Sequence, residues 1–304
     1  MKPFDLQVNG YAGVDFSSLK LTGSQLHEAC EAVRRDGGDR ILATLITDSV
    51  ENLESKLRNL VNLREQDDLA GEVIAGFHIE GPFLSAEPGY IGAHPANLTK
   101  NANIEDAQRL LNAAGGLTKV VTLAPEVDAG GRVTRYLADR DVVVSAGHTN
   151  ASRDQLLIVI DQGLSMVTHL GNGCPVDLPR HDNIIQRVLS LRKSLWIGFI
   201  PDGHHIDFFA LKNYLDLVGL DRAFMVTDAI SASGLGAGTY ELSGEPVEVD
   251  SSGVARRPGS PNLSGSTLTI QQMRENLSRY LWMSDAEIEQ VVALNPGKAV
   301  GENV

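Results

Sequence analysis

The chain has 304 residues, 42% of them hydrophobic, and 39 acidic against 26 basic side chains give a net charge of -13. That length suits one α/β barrel, and the charge argues against nucleic acid and anionic membrane as partners. Two cysteines, Cys30 and Cys174, make no disulfide framework and fit a cytoplasmic protein; no run approaches a membrane span, and the N-terminal segment lacks the apolar stretch of a secretory signal.

From the N-terminus onward, short Val/Ile/Leu-rich runs alternate with amphipathic stretches. Strands are expected at residues 4–8, 41–45, 73–79, 119–123, 142–145, 166–168, 195–200 and 223–227. Most are continuous apolar runs, the pattern of parallel strands covered on both faces. Helical spacing falls between them, at 25–35, 53–63, 104–113, 153–162 and 208–218. Eight β/α units in succession predict a TIM-type (β/α)8 barrel, with residues 1–304 as a single catalytic domain. The rhythm breaks at 231–266, a Gly- and Ser-rich stretch with a candidate hairpin at 239–249. Because it follows the eighth strand, it is expected over the barrel mouth. Helices at 267–281 and 284–292 close the chain, the second opened by Ser284 and Glu287 in capping-box spacing.

Three ligand-capable side chains stand at strand ends: Glu80 in Gly-Phe-His-Ile-Glu-Gly-Pro, His148 in Val-Ser-Ala-Gly-His-Thr, and His169 in Val-Thr-His-Leu-Gly-Asn. Alone, each reads equally well as a structural carboxylate or a hydrogen-bonded core histidine. Together, on strands three, five and six, they converge on one mouth, and two His with one Glu leave a tetrahedral ion an open position. Asp228 closes strand eight in Val-Thr-Asp-Ala, and the following Ala-Ile-Ser-Ala-Ser-Gly does not look like a helix start, which favours acid/base catalysis over a helix cap. Gln7 and Asn9 flank Val8 on strand one, where many metal-dependent barrel hydrolases place a His pair. Neutral amides are poor zinc ligands, so these read as vestigial second-metal positions and imply one divalent metal per chain, Zn²⁺ with Fe²⁺ as the alternative.

Strand seven runs into Pro-Asp-Gly-His-His-Ile-Asp, where an extended segment turns only one of His204 and His205 toward the site. Asn172, Gly173 and Arg180 lie in the loop after strand six; Arg180 suits a phosphate as a charged fork, or is a solvated loop charge. His94 sits in the long loop after strand three, with the mouth and the surface equally open to it. His78 shares a strand face with Glu80 and is expected to support a ligand rather than be one. His27 and His181 read as surface residues, and the Gly-rich 233–238 is no phosphate loop, lacking a strand-to-helix context.

Taken together, Asp5-Leu-Gln-Val-Asn-Gly, His78-Ile-Glu-Gly-Pro-Phe, Val121-Thr-Leu-Ala-Pro-Glu, Val144-Ser-Ala-Gly-His-Thr-Asn-Ala, Thr168-His-Leu-Gly-Asn-Gly, Asp202-Gly-His-His-Ile-Asp, Val226-Thr-Asp-Ala, Leu263-Ser-Gly-Ser-Thr-Leu-Thr and Asn295-Pro-Gly-Lys-Ala-Val-Gly run in one order over nearly the whole chain. In that order the chain resembles the N-acetylglucosamine-6-phosphate deacetylase family of the amidohydrolase superfamily. The resemblance implies that Glu80, His148 and His169 hold the metal, that Asp228 is general base and then general acid, and that His205 binds near the scissile carbonyl. It further implies substrate contacts at Asn172 and Gly173, and a phosphate contact from Arg180 that reaches a neighbouring subunit's site, hence a homodimer. The substrate implied is a phosphorylated N-acetyl amino sugar, N-acetylglucosamine-6-phosphate first. N-acetylgalactosamine-6-phosphate, a cyclic amide, or a non-catalytic binding barrel are the alternatives.

Three departures stand out. The family's Thr-His-Leu-(aromatic)-Asn-Ala-Met is here Thr-His-Leu-Gly-Asn-Gly-Cys, which reshapes the expected sugar pocket. Arg180 is followed by His-Asp-Asn where the family often has Glu-Pro-Gly. The small β-sandwich that typical members build from both chain ends is expected to be absent.

Overall fold

The computed structural model describes residues 2–302; residues 1, 303 and 304, the outer bounds of the single-domain expectation, lie outside the described residues. Eight parallel strands form one sheet in sequential order. They are β1 (Phe4–Val8), β2 (Arg40–Ile46), β3 (Ile74–Glu80), β4 (Thr118–Leu123), β5 (Val143–Ala146), β6 (Leu164–Val167), β7 (Trp196–Phe199) and β8 (Ala223–Met225). Every expected strand is present, the first with the expected bounds and the others with ends shifted by at most two residues. The reason for their legibility is physical: strands buried on both faces must be apolar throughout.

The sheet curls into a nearly closed barrel whose seam lies between β1 and β8. A parallel bridge joins Val8 to Ala229, and the Asn9 N–H donates to the Ala229 carbonyl at 2.7 Å. Lower on the seam, the buried Asp5 carboxylate accepts from the Thr227 N–H at 3.0 Å and from its hydroxyl at 2.6 Å. Backbone pairing thus closes the top of the seam, and a side chain bonded to the opposite strand closes it below.

Two apolar layers flank the strands. Phe4, Leu6, Leu42, Val120, Met166 and Phe224 form the inner plug, which Ala299 of the last helix joins. The larger outer cluster packs the other strand faces against the helices. Helices 104–113 and 208–218 form with the expected bounds, as Ile104–Ala113 and Phe208–Val218, and Gly23–Arg35, Val50–Glu65 and Arg153–Asp161 cover the other expected sites. Short helices Asp68–Val73, Arg132–Ala138 and Ile184–Ser190 complete the ring. Each spans two turns or fewer, too short for a helical period to stand out in sequence. Thr269 caps Ile270–Leu281, and Ser284 with Glu287 caps Asp285–Glu289 through a capping box. Beyond the expected end at 292 the chain continues through a π-helical turn, Gln290–Leu294, into Asn295–Ala299.

The stretch after β8 carries the expected hairpin, β9 (Gly238–Leu242) and β10 (Glu245–Val249), joined by a short third strand, β11 (Ala255–Arg256). Leu242, Val247, Val249 and Ala255 pack it onto Ile46 and Ile230 at the top of the barrel. Its turn is pinned from below: the buried Lys56 ammonium reaches Asp48 at 2.7 Å and the Ser243 hydroxyl at 3.0 Å.

Candidate metal centre and active site

Glu80 is the last residue of β3, while His148 and His169 stand just past the ends of β5 and β6. Their ligand-capable atoms lie within 4.8 Å of one another, and all three residues are buried. His169 Nε2 is 3.1 Å and His148 Nε2 3.4 Å from the same Glu80 oxygen, Oε1. Burial alone would raise the Glu80 carboxyl; the imidazoles of His148 and His169 packed against it override that and hold the group well below the usual carboxylate range.

The backbone aims these groups. His148, His169 and Asp228 all have positive φ, at 49°, 29° and 52°. Non-glycine residues in that region cost roughly 1–3 kcal/mol each, and such conformations cluster at functional sites. Here each turns a side chain inward at the point where its strand ends. Two glycines make room for the His148 ring: a Cβ on Gly92 would stand 2.8 Å from its Cε1, and one on Gly173 2.8 Å from its Nδ1.

The donor set fits a divalent cation. His148 Nδ1 is 2.9 Å from the Tyr90 carbonyl, to which it donates, so the lone pair sits on Nε2, facing Glu80 and His169. One carboxylate and two neutral imidazoles at such spacing form the protein share of a three-ligand site with an open position. His169 Nδ1 is buried with no hydrogen-bond partner.

Asp228 stands beside this cluster at the seam. Its Oδ1 accepts from Asn9 Nδ2 at 2.8 Å and from Gln7 Nε2 at 3.1 Å, and Gln7 Nε2 also lies 3.2 Å from Glu80 Oε2. Gln7 and Asn9 thus share a face as their alternation requires, and they bind carboxylates where a His pair would bind an ion. Burial raises the Asp228 carboxyl above the usual carboxylate range.

His94, equally open to mouth and surface from sequence, is buried at the centre. Its ring meets His148 edge-on at 4.3 Å, and Nε2 is 3.9 Å from Glu80 Oε2. The Thr47 N–H donates to Nδ1 at 3.3 Å, which leaves the ring proton on Nε2. Burial, with His148 beside it, holds this imidazole well below its ordinary pKa and so neutral.

A cavity of about 360 Å³ opens above these groups, a volume suited to a small ligand. Asn172, Gly173 and both His204 and His205 border it. That corrects the expectation that only one of the adjacent histidines faces the site, which assumed an extended segment. The chain turns instead: Asp202 Oδ1 accepts from the N–H groups of both His204 and His205 at 2.8 Å, and Asp202 Oδ2 holds His205 Nδ1 at 2.6 Å. His204 remains exposed at the rim.

Arg180 is exposed and does not border its own chain's cavity. His78 is no ligand, and its hydrogen bonds go to the Leu6 carbonyl and Thr122 Oγ1 rather than to Glu80. His27 pairs with Asp67 at the surface, and His181 is exposed. Sequence reasoning passed over Thr47, Tyr90, Gly92 and Asp202, which orient or admit the histidines. Tyr90 and Gly92 lie in the segment around His94 and Asp202 in the one around His205, but none carried a signal of its own.

No family model matches the chain. It is similar to the N-acetylglucosamine-6-phosphate deacetylase of Bacillus subtilis, 30% identical over 98% of this chain and 74% of that one. The Homo sapiens enzyme of the same name is 31% identical, over 98% and 73%. The N-acetylgalactosamine-6-phosphate deacetylase of Escherichia coli O157:H7 is 29% identical over 98% and 76%. Among solved structures, a mutant N-acetyl-D-glucosamine-6-phosphate deacetylase from Mycobacterium smegmatis in complex with N-acetyl-D-glucosamine-6-phosphate superposes with a TM-score of 0.89 at 29% identity, covering 99% of this chain and 77% of that one. The Thermotoga maritima N-acetylglucosamine-6-phosphate deacetylase gives 0.86 at 27% identity, over 99% and 78%.

Proposed function

The chain belongs to the N-acetylglucosamine-6-phosphate deacetylase family of amidohydrolases, and from that premise we propose that it hydrolyses the acetamido group of N-acetylglucosamine-6-phosphate to glucosamine-6-phosphate and acetate. The observation that carries the reading is the meeting of Glu80, His148 and His169 beside Asp228 under one cavity.

Glu80, His148 and His169 would hold one divalent ion, Zn²⁺ with Fe²⁺ as the alternative. Bound there, it supplies Lewis acidity toward the acetyl carbonyl and a water molecule. Asp228 supplies the proton shuttle. Its Oδ1 is engaged by two amides, so Oδ2 accepts the proton of the attacking water and returns it to the sugar nitrogen as the C–N bond breaks. A protonated Nε2 on neutral His94, beside Glu80, is a donor for the developing oxyanion. His205, anchored by Asp202, offers a second donor, and the resemblance gives it the same carbonyl. Asn172 and Gly173 contact the sugar from the cavity wall.

Arg180 is read as gripping the 6-phosphate in a partner subunit's site. Supporting this are its position outside its own cavity and the fully exposed Val176 on the same loop, an apolar surface suited to a homodimer contact. The barrel and its capping hairpin are read as one catalytic unit working in the cytoplasm. Both cysteines are free, and no helix among the described residues is long and apolar enough to cross a membrane.

The galacto epimer is the second reading, favoured by the nearly equal identity to the Escherichia coli galactosamine enzyme. Acetate release after loading with Zn²⁺ or Fe²⁺, from both epimeric sugar phosphates and unphosphorylated N-acetylglucosamine, tests both. Faster release from the gluco phosphate supports the first reading, and faster release from the galacto phosphate the second. No release from any sugar rejects both and favours a binding barrel.

A further inference from the structure

A phosphorylated substrate brings negative charge to a cavity whose floor already holds Glu80 and Asp228, yet no lysine or arginine borders that cavity. Close by stands a cation without a partner. Arg257 follows β11 in the segment over the mouth, and its Nε is buried with no hydrogen-bond partner. The neighbouring Arg256 has an acid, Asp250, at 3.7 Å; among the described residues Arg257 has no ion pair. A buried N–H left without an acceptor is costly, and a ligand oxygen would complete it.

The neighbours of Arg257 across the turn border the cavity. Arg256 bridges Leu263 across the turn, which sets Arg257 opposite Asn262, and Asn262 and Leu263 both border the cavity. Arg257 is close enough for its charge to bear on the His94 imidazole. No other cation among the described residues combines a buried unpaired donor with this position, and Arg180 is exposed and does not border its own cavity.

The geometry points to Arg257 as an anion-recognising residue that meets the substrate's phosphate from the same subunit, through its guanidinium fork. This rests on the phosphorylated-sugar reading above, and it adds a contact in cis to the one assigned to Arg180 in trans. Two contacts from different subunits fix a phosphate more rigidly than one, because an arginine fork constrains orientation as well as charge.

The test uses the metal-loaded full chain, its Arg257→Ala and Arg257→Lys variants, and Arg180→Ala. Inorganic phosphate binding is read by calorimetry, and kcat/KM is compared on phosphorylated and unphosphorylated sugar. Arg257→Ala is expected to weaken phosphate binding roughly 10- to 100-fold and to lower the ratio of the two kcat/KM values by a similar factor. Arg257→Lys should restore part of both, with the melting temperature of each variant at or above that of the parent. Unchanged phosphate affinity in Arg257→Ala, equal losses on both sugars, a fall in melting temperature with phosphate binding intact, or a parent that binds no phosphate would each overturn the assignment. Failure of the activity reading looks different: no acetate is released from any sugar, while phosphate binding still falls in Arg257→Ala.

Discussion

Asn9 donates its side-chain amide to Asp228 Oδ1 across 2.8 Å, joining the first strand of the barrel to the last at the mouth. The same oxygen accepts from Gln7, so the carboxylate is held from one side and free on the other. A group that must take a proton and return it to a second atom needs this asymmetry: one oxygen fixes the geometry, the other does the chemistry.

Replacing Asp228 by Asn keeps an oxygen for Gln7 and Asn9, and Asn tolerates the positive φ of 52° at this position. Fold and metal content should therefore survive, while kcat falls on the order of 10² or more. Circular dichroism, metal analysis and steady-state kinetics on one preparation check the three parts. Near-normal turnover would move the proton shuttle to another residue.

His94 and His205 compete for the oxyanion. His94 lies against Glu80, with Nε2 at 3.9 Å from Oε2, whereas His205 stands across the cavity on Asp202. His94→Asn should lower kcat by about 10²- to 10³-fold, the usual cost of one oxyanion donor. His205→Asn should act more on KM. The reverse pattern would return the carbonyl to His205, as the family resemblance had it.

How far the sequence could be read depends on what each residue needs from its neighbours. Glu80, His148, His169 and Asp228 were legible because each ends an apolar run, and barrel topology alone brings strand ends together. His94 was not, because its placement depends on a loop whose path no local period encodes and on Thr47, 47 residues away. Gly92 and Gly173 carry no ligand atom, and their importance appears only once the His148 ring lies between them. The adjacent His204 and His205 misled because an Asp-centred turn replaces the expected extended chain. The seam contact between Asp5 and Thr227 joins residues 222 apart, beyond any sequence pattern.

Gly173→Ala should displace the His148 ring, since the new Cβ would meet Nδ1 at 2.8 Å and φ is +61°. Loss of the hydrogen bond from His148 to Tyr90 would then loosen the ligand. Disturbing such a supporting contact typically costs metal affinity about 10- to 100-fold. Competition with a calibrated chelator measures it directly. Unaltered affinity would mean that the loop, rather than the ring, gives way.

One ion per chain is expected, because Gln7 and Asn9 spend their amides on Asp228 and Glu80. Removing the ion should abolish activity and lower the melting temperature, since a ligand bound only by the folded state stabilises it by mass action. Elemental analysis after loading with excess Zn²⁺, followed by chelation and refilling, provides the measurement. A reproducible second ion would overturn the reading of the first strand.

Arg180 gives the sharpest test of assembly. It is exposed, outside its own cavity, and on the loop that carries the exposed Val176. If it serves a neighbour, Arg180→Ala and Asp228→Asn damage different partners of one site. Each homodimer is then inactive or nearly so, the first losing on the order of 10²-fold or more on the phosphorylated sugar. In a mixed dimer, the site on the Arg180→Ala chain keeps its own Asp228 and receives Arg180 from the Asp228→Asn chain. That site is whole, the other lacks both groups, and activity should recover toward half that of the parent dimer in the hybrid fraction. Subunit exchange is confirmed first with two affinity tags. Light scattering that finds a fully active monomer, or confirmed hybrids with no recovery, would place Arg180 in its own subunit's site or outside recognition altogether.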